Sequence, residues 1–265
     1  GMMVGDILDF VGPLLKRNKF AVIEGGPVMG GLIDLNEPIT KTTKGLIVLP
    51  LGHKLITRLK TISRVTRRSF SVCSQCTMCT DLCPRHILGH PIRPHSIMGA
   101  FVQRVGQEGV LSGALLCSEC GVCDTYACFM GLSPRYVNRE LKRGLLREAK
   151  IDAVTLPPFP KGLAPWAMGV PSQRLIFRLG ISQWVKPAPL VDDLPVPSKV
   201  SIRIKQHVGS VSTSLAQVGD RVMKGTLLAD VGPGELGVGT HSSITGVVQA
   251  VTYREIVVRQ VDGSG

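Results

Sequence analysis

Apolar positions recur along this chain with three different periods. Over residues 3–50 short apolar runs are cut by glycine turns, as in FAVIEGGPVMGGLIDL and TTKGLIVLPLG, and strands are expected near 20–24 and 45–49. Residues 52–70 switch to helical spacing: Leu55, Ile56, Leu59, Ile62 and Val65 form a stripe with basic residues between them, which predicts one basic amphipathic helix. The stripe is read as core-facing, with a membrane-surface role as the competing reading. SIMGAFVQRVGQEG predicts a helix over about 96–108. A further helix is expected over 134–149, with Ser133 as N-cap, Pro134 at its first position, and Val137, Leu141 and Leu145 as its apolar stripe. Residues 157–197 carry nine of the eighteen prolines, which predicts an extended connector. Its Trp166, Trp184 and RLIFRLGI argue that it packs over a neighbour. From 199 to 260 short β-rich runs alternate with glycine turns again, the pattern of a small all-β fold.

These changes of period divide an α+β multidomain chain into a small α/β module over 1–51, a helical region over 52–150, the connector over 151–198 and a β domain over 199–262. GGPVMGG invites a phosphate-loop reading, but it lacks both the Lys-Ser/Thr ending and the G-x-G-x-x-G spacing, so a tight turn is the reading adopted.

Composition narrows the function classes. The chain has 265 residues, 44% of them hydrophobic, enough for an ordered protein with more than one core. Aromatics are only 5%, which argues against a base-stacking nucleic-acid platform. No run of eighteen apolar residues is present, so no membrane span is expected. The start, GMMVGDILDF, lacks the basic region and cleavage site of a secretory signal, and Gly1 ahead of Met2 reads as an added residue. The net charge is +12, with Lys54, Arg58, Lys60, Arg64, Arg67 and Arg68 before the first cysteine group and Arg135, Arg139, Lys142, Arg143, Arg147 and Lys150 after the second. This charge balances buried anionic sites and solvates helix faces; a docking surface for an acidic partner is the sharper alternative.

The cysteines carry the chemistry. All eight fall between positions 73 and 128. The first group, SVCSQCTMCTDLCPR, reads C-x2-C-x2-C-x3-C-P with Cys73, Cys76, Cys79 and Cys83. The second, LCSECGVCDTYACFM, reads C-x2-C-x2-C-x4-C with Cys117, Cys120, Cys123 and Cys128. A secreted disulfide framework spreads its cysteines through a small chain, which this is not, and a reducing, cytoplasmic compartment is expected. Zinc is the other alternative, yet zinc knuckles pair their ligands two and two, and a triplet plus one leaves a cysteine over in each group. Two [4Fe–4S] clusters suit the spacing. In the bacterial two-cluster signature the fourth cysteine of a run serves the other cluster. Cluster I is then expected on Cys73, Cys76, Cys79 and Cys128, and cluster II on Cys117, Cys120, Cys123 and Cys83. The second group departs from the signature by one extra residue and by Phe129 in place of proline.

With every thiol assigned, no catalytic nucleophile remains, and no triad, carboxylate pair or nucleotide fingerprint is visible. His86, His90 and His95 in PRHILGHPIRPH are read as capping turns or hydrogen-bonding cluster sulfurs; a corrinoid cobalt ligand or a proton donor is the alternative.

At CSQCTMCTDLCPRHILGHPIRPH the sequence resembles the PduS-type cobalamin reductases of bacterial microcompartments, within the broader RnfC family. EGGPVMGG with TTKGLIVL is similar to the SLBB module of that group. V-G-D-R-V-x-K-G followed by H-S-S-I-T-G-V-V resembles a barrel-sandwich hybrid of the biotinyl/lipoyl type. The intervening TLLADVGPGELGVGT has no lysine to modify, so a scaffold role is expected over a swinging-arm carrier. The resemblance implies an SLBB-like module, a two-cluster ferredoxin-like domain and a C-terminal barrel-sandwich hybrid. It further implies that FMN and NADH bind a preceding domain not visible in this sequence.

The function it implies is an electron-transfer module of an NADH-dependent corrinoid reductase, passing electrons through two [4Fe–4S] clusters to cob(III)alamin or cob(II)alamin. Implied partners are a corrinoid or a corrinoid-dependent enzyme or adenosyltransferase, and microcompartment shell proteins, with no nucleic acid. The implied location is the cytoplasm, in the microcompartment lumen. The alternatives are an RnfC-like electron-entry subunit of a membrane ion-translocating complex, and a docking protein in which metal only stabilises the fold.

Overall fold

The structure, a computed structural model, describes residues 1–12, 18–103, 108–147, 169–187, 189–190 and 195–261. Residues 151–168, 188 and 191–194 of the expected connector, Trp166 included, lie outside the described residues. The chain forms two compact units, one of residues 1–25, 32–50 and 188–265, the other of 26–31 and 51–187. Helices and antiparallel sheets make up both together, and the described residues contain no closed barrel.

The first unit begins with helix α1 (Val4–Val11), followed by strands β1 (Phe20–Glu24), β2 (Gly31–Ile33) and β3 (Leu46–Pro50) in the order β2-β1-β3. β1 and β3 are antiparallel, with Phe20 opposite Pro50 and Glu24 opposite Leu46. The amphipathic α1 lays Val4 and Leu8 against Val22, with Ile33, Leu35 and Val48 around them. The same unit holds two further sheets. The larger has the order β4-β10-β9-β6, from β4 (Lys199–Arg203), β6 (Arg221–Val222), β9 (Gly246–Val251) and β10 (Glu255–Gln260). The smaller is β5-β7-β8, from β5 (Thr213–Ser214), β7 (Leu227–Asp230) and β8 (Thr240–His241). Alternation along β10 buries Ile256 and Val258 and turns Arg259 out. They meet Val200, Ile202, Leu228 and Val248 in one apolar core. Arg203 pairs with Glu37, and the Lys41 ammonium donates to the Gly239 carbonyl at 2.7 Å.

The second unit is helical. The single helix expected over 52–70 is two: α2 (Lys54–Lys60) and α3 (Ile62–Val72). Thr61 separates them with φ −107° and ψ 10°, and its hydroxyl donates to the Thr57 carbonyl at 2.9 Å, a local bond that competes with helix continuation. Next come the short helices α4 (Met78–Asp81) and α5 (Pro84–Ile87), then α6 (Pro94–Gln103), α7 (Glu108–Ser112), α8 (Pro134–Arg147) and α9 (Ser172–Leu179). α6 and α8 agree with expectation over their described lengths, with residues 104–107 and 148–149 outside the described residues. Ser133 precedes α8 as expected, but its hydroxyl is buried without a hydrogen-bond partner among the described residues, so it does not cap through its side chain. Its carbonyl accepts from Tyr136 and Val137 instead. The core gathers Ile92, Ile97, Met98, Ala114, Leu132 and Val137.

Within the proline-rich stretch, RLIFRLGI forms α9, contrary to the extended expectation. Pro171 stands at the N-cap, where it removes no helical hydrogen bond, and Gly180 ends the helix at φ 70°. The imidazole of His53, which caps α2 by accepting from Leu55 N–H, packs edge-on against Trp184 at 5.3 Å, and its other nitrogen lies 3.2 Å from the Gly180 carbonyl. Lys54 reaches the Arg178 carbonyl. Among the described residues no helix is long and apolar enough to cross a membrane.

A β-carbon built at Gly246 would sit 1.9 Å from the Arg259 carbonyl oxygen, a backbone atom that moves only with its strand. Gly246→Ala is expected to destabilise the first unit by about 1–3 kcal/mol, the usual cost of overpacking. Circular dichroism melts check this as a lowered β-sheet transition.

Candidate metal centre

The two cysteine loops share an unusual backbone. In the first, Gln75 and Thr77, the residues flanking Cys76, have φ of 53° and 64°; in the second, Glu119 and Gly121, flanking Cys120, have 57° and 76°. Gln75, Thr77 and Glu119 are the only non-glycine residues with positive φ among the described residues. Each costs on the order of 1–3 kcal/mol, so the strain of the chain is concentrated in these two turns. Alternation of ordinary and left-handed residues turns successive N–H groups into one concavity, the nest that suits an anion or the sulfides of a cluster.

The sulfur atoms collect N–H donors accordingly. Gln75 Nε2 donates to Cys73 Sγ at 3.3 Å, Glu119 N–H to Cys117 Sγ at 3.4 Å and Leu132 N–H to Cys128 Sγ at 3.3 Å. Cys83 is the N-cap of α5, whose first helical residue is Pro84, and the free N–H groups of Arg85 and His86 point at its sulfur.

The extra residue of the second group is taken up by helix geometry. Around Cys79 the chain makes one α-turn, Met78–Asp81; from Cys123 it makes a π-helical turn, Cys123–Ala127, before Cys128. A π-turn holds one residue more than an α-turn, so the insertion is absorbed without displacing the chain beyond it.

The loops pack against one another in a crossed manner. Burial, assisted by the neighbouring Cys128, Cys73 and Cys76, pushes the Cys79 thiol up to about 12. Burial also raises Cys117, with Cys83 and Cys120 beside it, and raises Cys83, with Cys120 beside it. Cys123, the most enclosed, is raised by burial and by Cys117 and Cys120, then Cys79 and Cys83. Cys79 therefore has Cys73, Cys76 and Cys128 near it, and Cys123 has Cys117, Cys120, Cys79 and Cys83 near it. All eight are free thiols. No three His, Cys, Asp or Glu among the described residues are close enough to share one metal ion. A cube gives each thiolate its own iron, so its ligands stand wider apart than those of a tetrahedral ion. The donor set fits two such cubes: the raised thiols of Cys79, Cys83, Cys117 and Cys123, with N–H groups beside several sulfurs, ionise readily only around cationic metal.

Fixed charges sit at the edge of this cluster. Arg58 of α2 pairs with Asp124, a buried carboxylate inside the π-turn, and also approaches the Leu132 carbonyl at 3.5 Å. Burial lowers the Arg58 guanidinium, while Cys123 and Cys128 nearby raise it. Arg135 donates to the Val28 and Met29 carbonyls at 2.7 and 3.0 Å and lies against Gly121; Lys142 donates to the Cys117 carbonyl at 2.9 Å. Sequence reasoning placed these cations only in a basic stripe and missed Asp124 altogether. A carboxylate inside a cysteine run was the available signal.

The histidines act as struts. His95 Nδ1 lies 2.7 Å from the Thr80 hydroxyl and its Nε2 3.1 Å from Ser96, tying the turn after Cys79 to α6. Burial lowers the His95 imidazole. His90 meets Arg85 at 3.2 Å. No hydrogen bond from a histidine ring to a cysteine sulfur is found among the described residues.

Comparison with known proteins agrees with this architecture. Residues 72–133 match the family described as the 4Fe-4S dicluster domain, and residues 186–262 match the RnfC barrel sandwich hybrid domain. The chain is 43% identical over 265 residues to the cobalamin reductase PduS of Salmonella typhimurium strain LT2, covering 97% of this chain and 57% of that protein. It is 39% identical over 261 residues to the cobalamin reductase PduS of Citrobacter freundii, with the same coverages. The chain thus spans 57% of the length of these curated relatives.

Thr77 and Gly121 occupy equivalent left-handed positions but differ in what a side chain meets. A β-carbon at Gly121 falls 2.6 Å from Val28 Cγ1. Gly121→Ala is expected to lower both the melting temperature and the iron and sulfide bound after reconstitution. Thr77→Gly, which relieves strain, is expected to retain both. Parallel melts and metal analysis distinguish the two.

Proposed function

We propose that this chain, a relative of the PduS cobalamin reductases over 97% of its length, is the iron–sulfur electron-transfer portion of an NADH-dependent corrinoid reductase. The observation that carries the reading is the pair of matching strained loops, with Cys128 near Cys79 of the first and Cys83 near Cys117 of the second. Cys73, Cys76, Cys79 and Cys128 would hold one [4Fe–4S] cluster, and Cys117, Cys120, Cys123 and Cys83 the other. Such clusters, when bound, supply one-electron carriers whose potential depends on net charge, hydrogen bonding to sulfur and solvent exposure.

The chain's own residues govern those three variables. Loop N–H groups of Arg85, His86, Glu119 and Leu132 hold negative charge at the cysteine sulfurs. The Arg58–Asp124 pair places a fixed dipole beside Cys123 and Cys128. Cys76 is exposed, whereas Cys83 and Cys123 are buried. Cys79 is buried too, so the first set meets solvent mainly at Cys76, and the second has no exposed cysteine. The SLBB-like module over 1–51 and the barrel-sandwich hybrid over 199–262 would act as scaffold and docking surfaces, since the latter offers no lysine for a swinging arm. FMN and NADH would be handled by a separate domain of the longer protein. Its partners would be a corrinoid or the enzymes that use it, within a microcompartment.

Anaerobic stopped-flow mixing of the reconstituted, reduced chain with cob(II)alamin tests the reading, with a ferredoxin as the parallel acceptor. Faster reoxidation by the corrinoid is expected. Reoxidation by ferredoxin alone would point to the RnfC-like role instead.

A further inference from the structure

Beside the cysteine loops the second unit has a cavity of about 620 Å³, open to solvent and walled by Met78, Tyr126, Phe129, Arg174, Phe177 and Arg178. We propose that this cavity seats a corrinoid, its ring lying on Phe129 and Phe177 and its phosphodiester paired with Arg174 and Arg178. The inference rests on the corrinoid-reductase reading above and assigns it a place.

Three features argue for a built ligand site. The first is its floor. Met78 directly precedes Cys79 and Phe129 directly follows Cys128, so two of its walls stand next in the chain to cysteines of the first set. A redox-active ring placed here would approach that set from the side open to solvent. The second is the chemistry of its walls. Phe129 is 61% exposed and Phe177 79%, a large area of bare aromatic surface for a chain with so few aromatics. Exposed aromatic side chains in the walls suit the apolar flank of a large macrocyclic ligand. No acidic residue lines the cavity, and neither guanidinium has a hydrogen-bond or ion-pair partner among the described residues. Arginine forks pair with phosphate bidentately, so the site complements a ring that carries one phosphate.

The third feature is the wall itself. α9 is held in place by Gly180, His53, Trp184 and the Lys54 bond to Arg178, so its arginines are presented from a fixed helix. Position 180 has no room for a side chain: a β-carbon on Gly180 falls 2.8 Å from Lys54 Cε. The cavity is open, so a ligand bulkier than its volume can extend into solvent.

Equilibrium dialysis of the full chain, anaerobically reconstituted, against hydroxocobalamin tests the site. Phe177→Ala and the double variant Arg174→Ala/Arg178→Ala are expected to weaken binding at least tenfold, with iron and sulfide content unchanged because none of the three side chains hydrogen-bonds a cysteine among the described residues. Cobinamide, which lacks the phosphate-bearing loop, is expected to bind the parent about tenfold more weakly than cobalamin, and to bind the double variant equally with it. Undiminished hydroxocobalamin binding by both variants would overturn the proposal, as would tighter binding of FMN lost in the same variants. If binding is unaltered while the parent is still reoxidised by cob(II)alamin, the cavity assignment fails and the functional reading stands. If the parent is not reoxidised, the functional reading falls and the cavity assignment with it.

Discussion

Thiols crowded into a small helical unit repel one another as soon as they ionise, and that constraint organises the second unit. Cys79 sits among three other cysteines and is pushed up to about 12, while Cys123 is enclosed by four. By themselves these groups are tolerable only as neutral thiols; with cationic irons among them, the same crowding becomes a ligand set. The fold contributes what thiolates bound to metal require next, which is N–H groups aimed at sulfur. Those come from Gln75 Nε2 and the Glu119 N–H in the left-handed turns, from the Leu132 N–H and from the first turn of α5 at Cys83. Backbone strain at three non-glycine residues is accepted in return.

The surrounding elements keep the two loops in register. α6 and α8 supply the apolar core beneath them, His95 ties the turn after Cys79 to α6, and Arg58 reaches from α2 to Asp124 in the π-turn. The π-turn is the adjustment that lets a group with one extra residue bring Cys128 near Cys79. Asp124 is a consequence of that adjustment: the inserted turn buries a carboxylate, and Arg58 compensates it.

Much of this was legible in the primary structure, and the reasons are local. Cysteine spacing announces cluster chemistry because wrapping a cube needs short, repeated gaps. Period-two and helical patterns marked β1, β3, α8 and the β-rich C-terminal region. The features that failed to show were set by tertiary contacts or single-residue geometry. Thr61 divides a helix whose apolar stripe runs on unbroken, because its hydroxyl bonds the preceding turn. The proline count over 157–197 hid α9, because Pro171 and Pro187 flank a proline-free stretch in which RLIFRLGI is free to coil. Ser133 has the right place for a cap, yet its hydroxyl is enclosed in the core. The role of Arg58 was invisible because its partner lies sixty-six positions away.

The exchange of fourth cysteines is the central claim, and electron paramagnetic resonance of two reduced single variants tests it most directly. Cys83→Ala should abolish or alter first the cluster built on Cys117, Cys120 and Cys123, leaving the signal that Cys73→Ala removes. Loss of the same signal in both variants would mean that each run of four cysteines holds its own cluster, and would contradict the account.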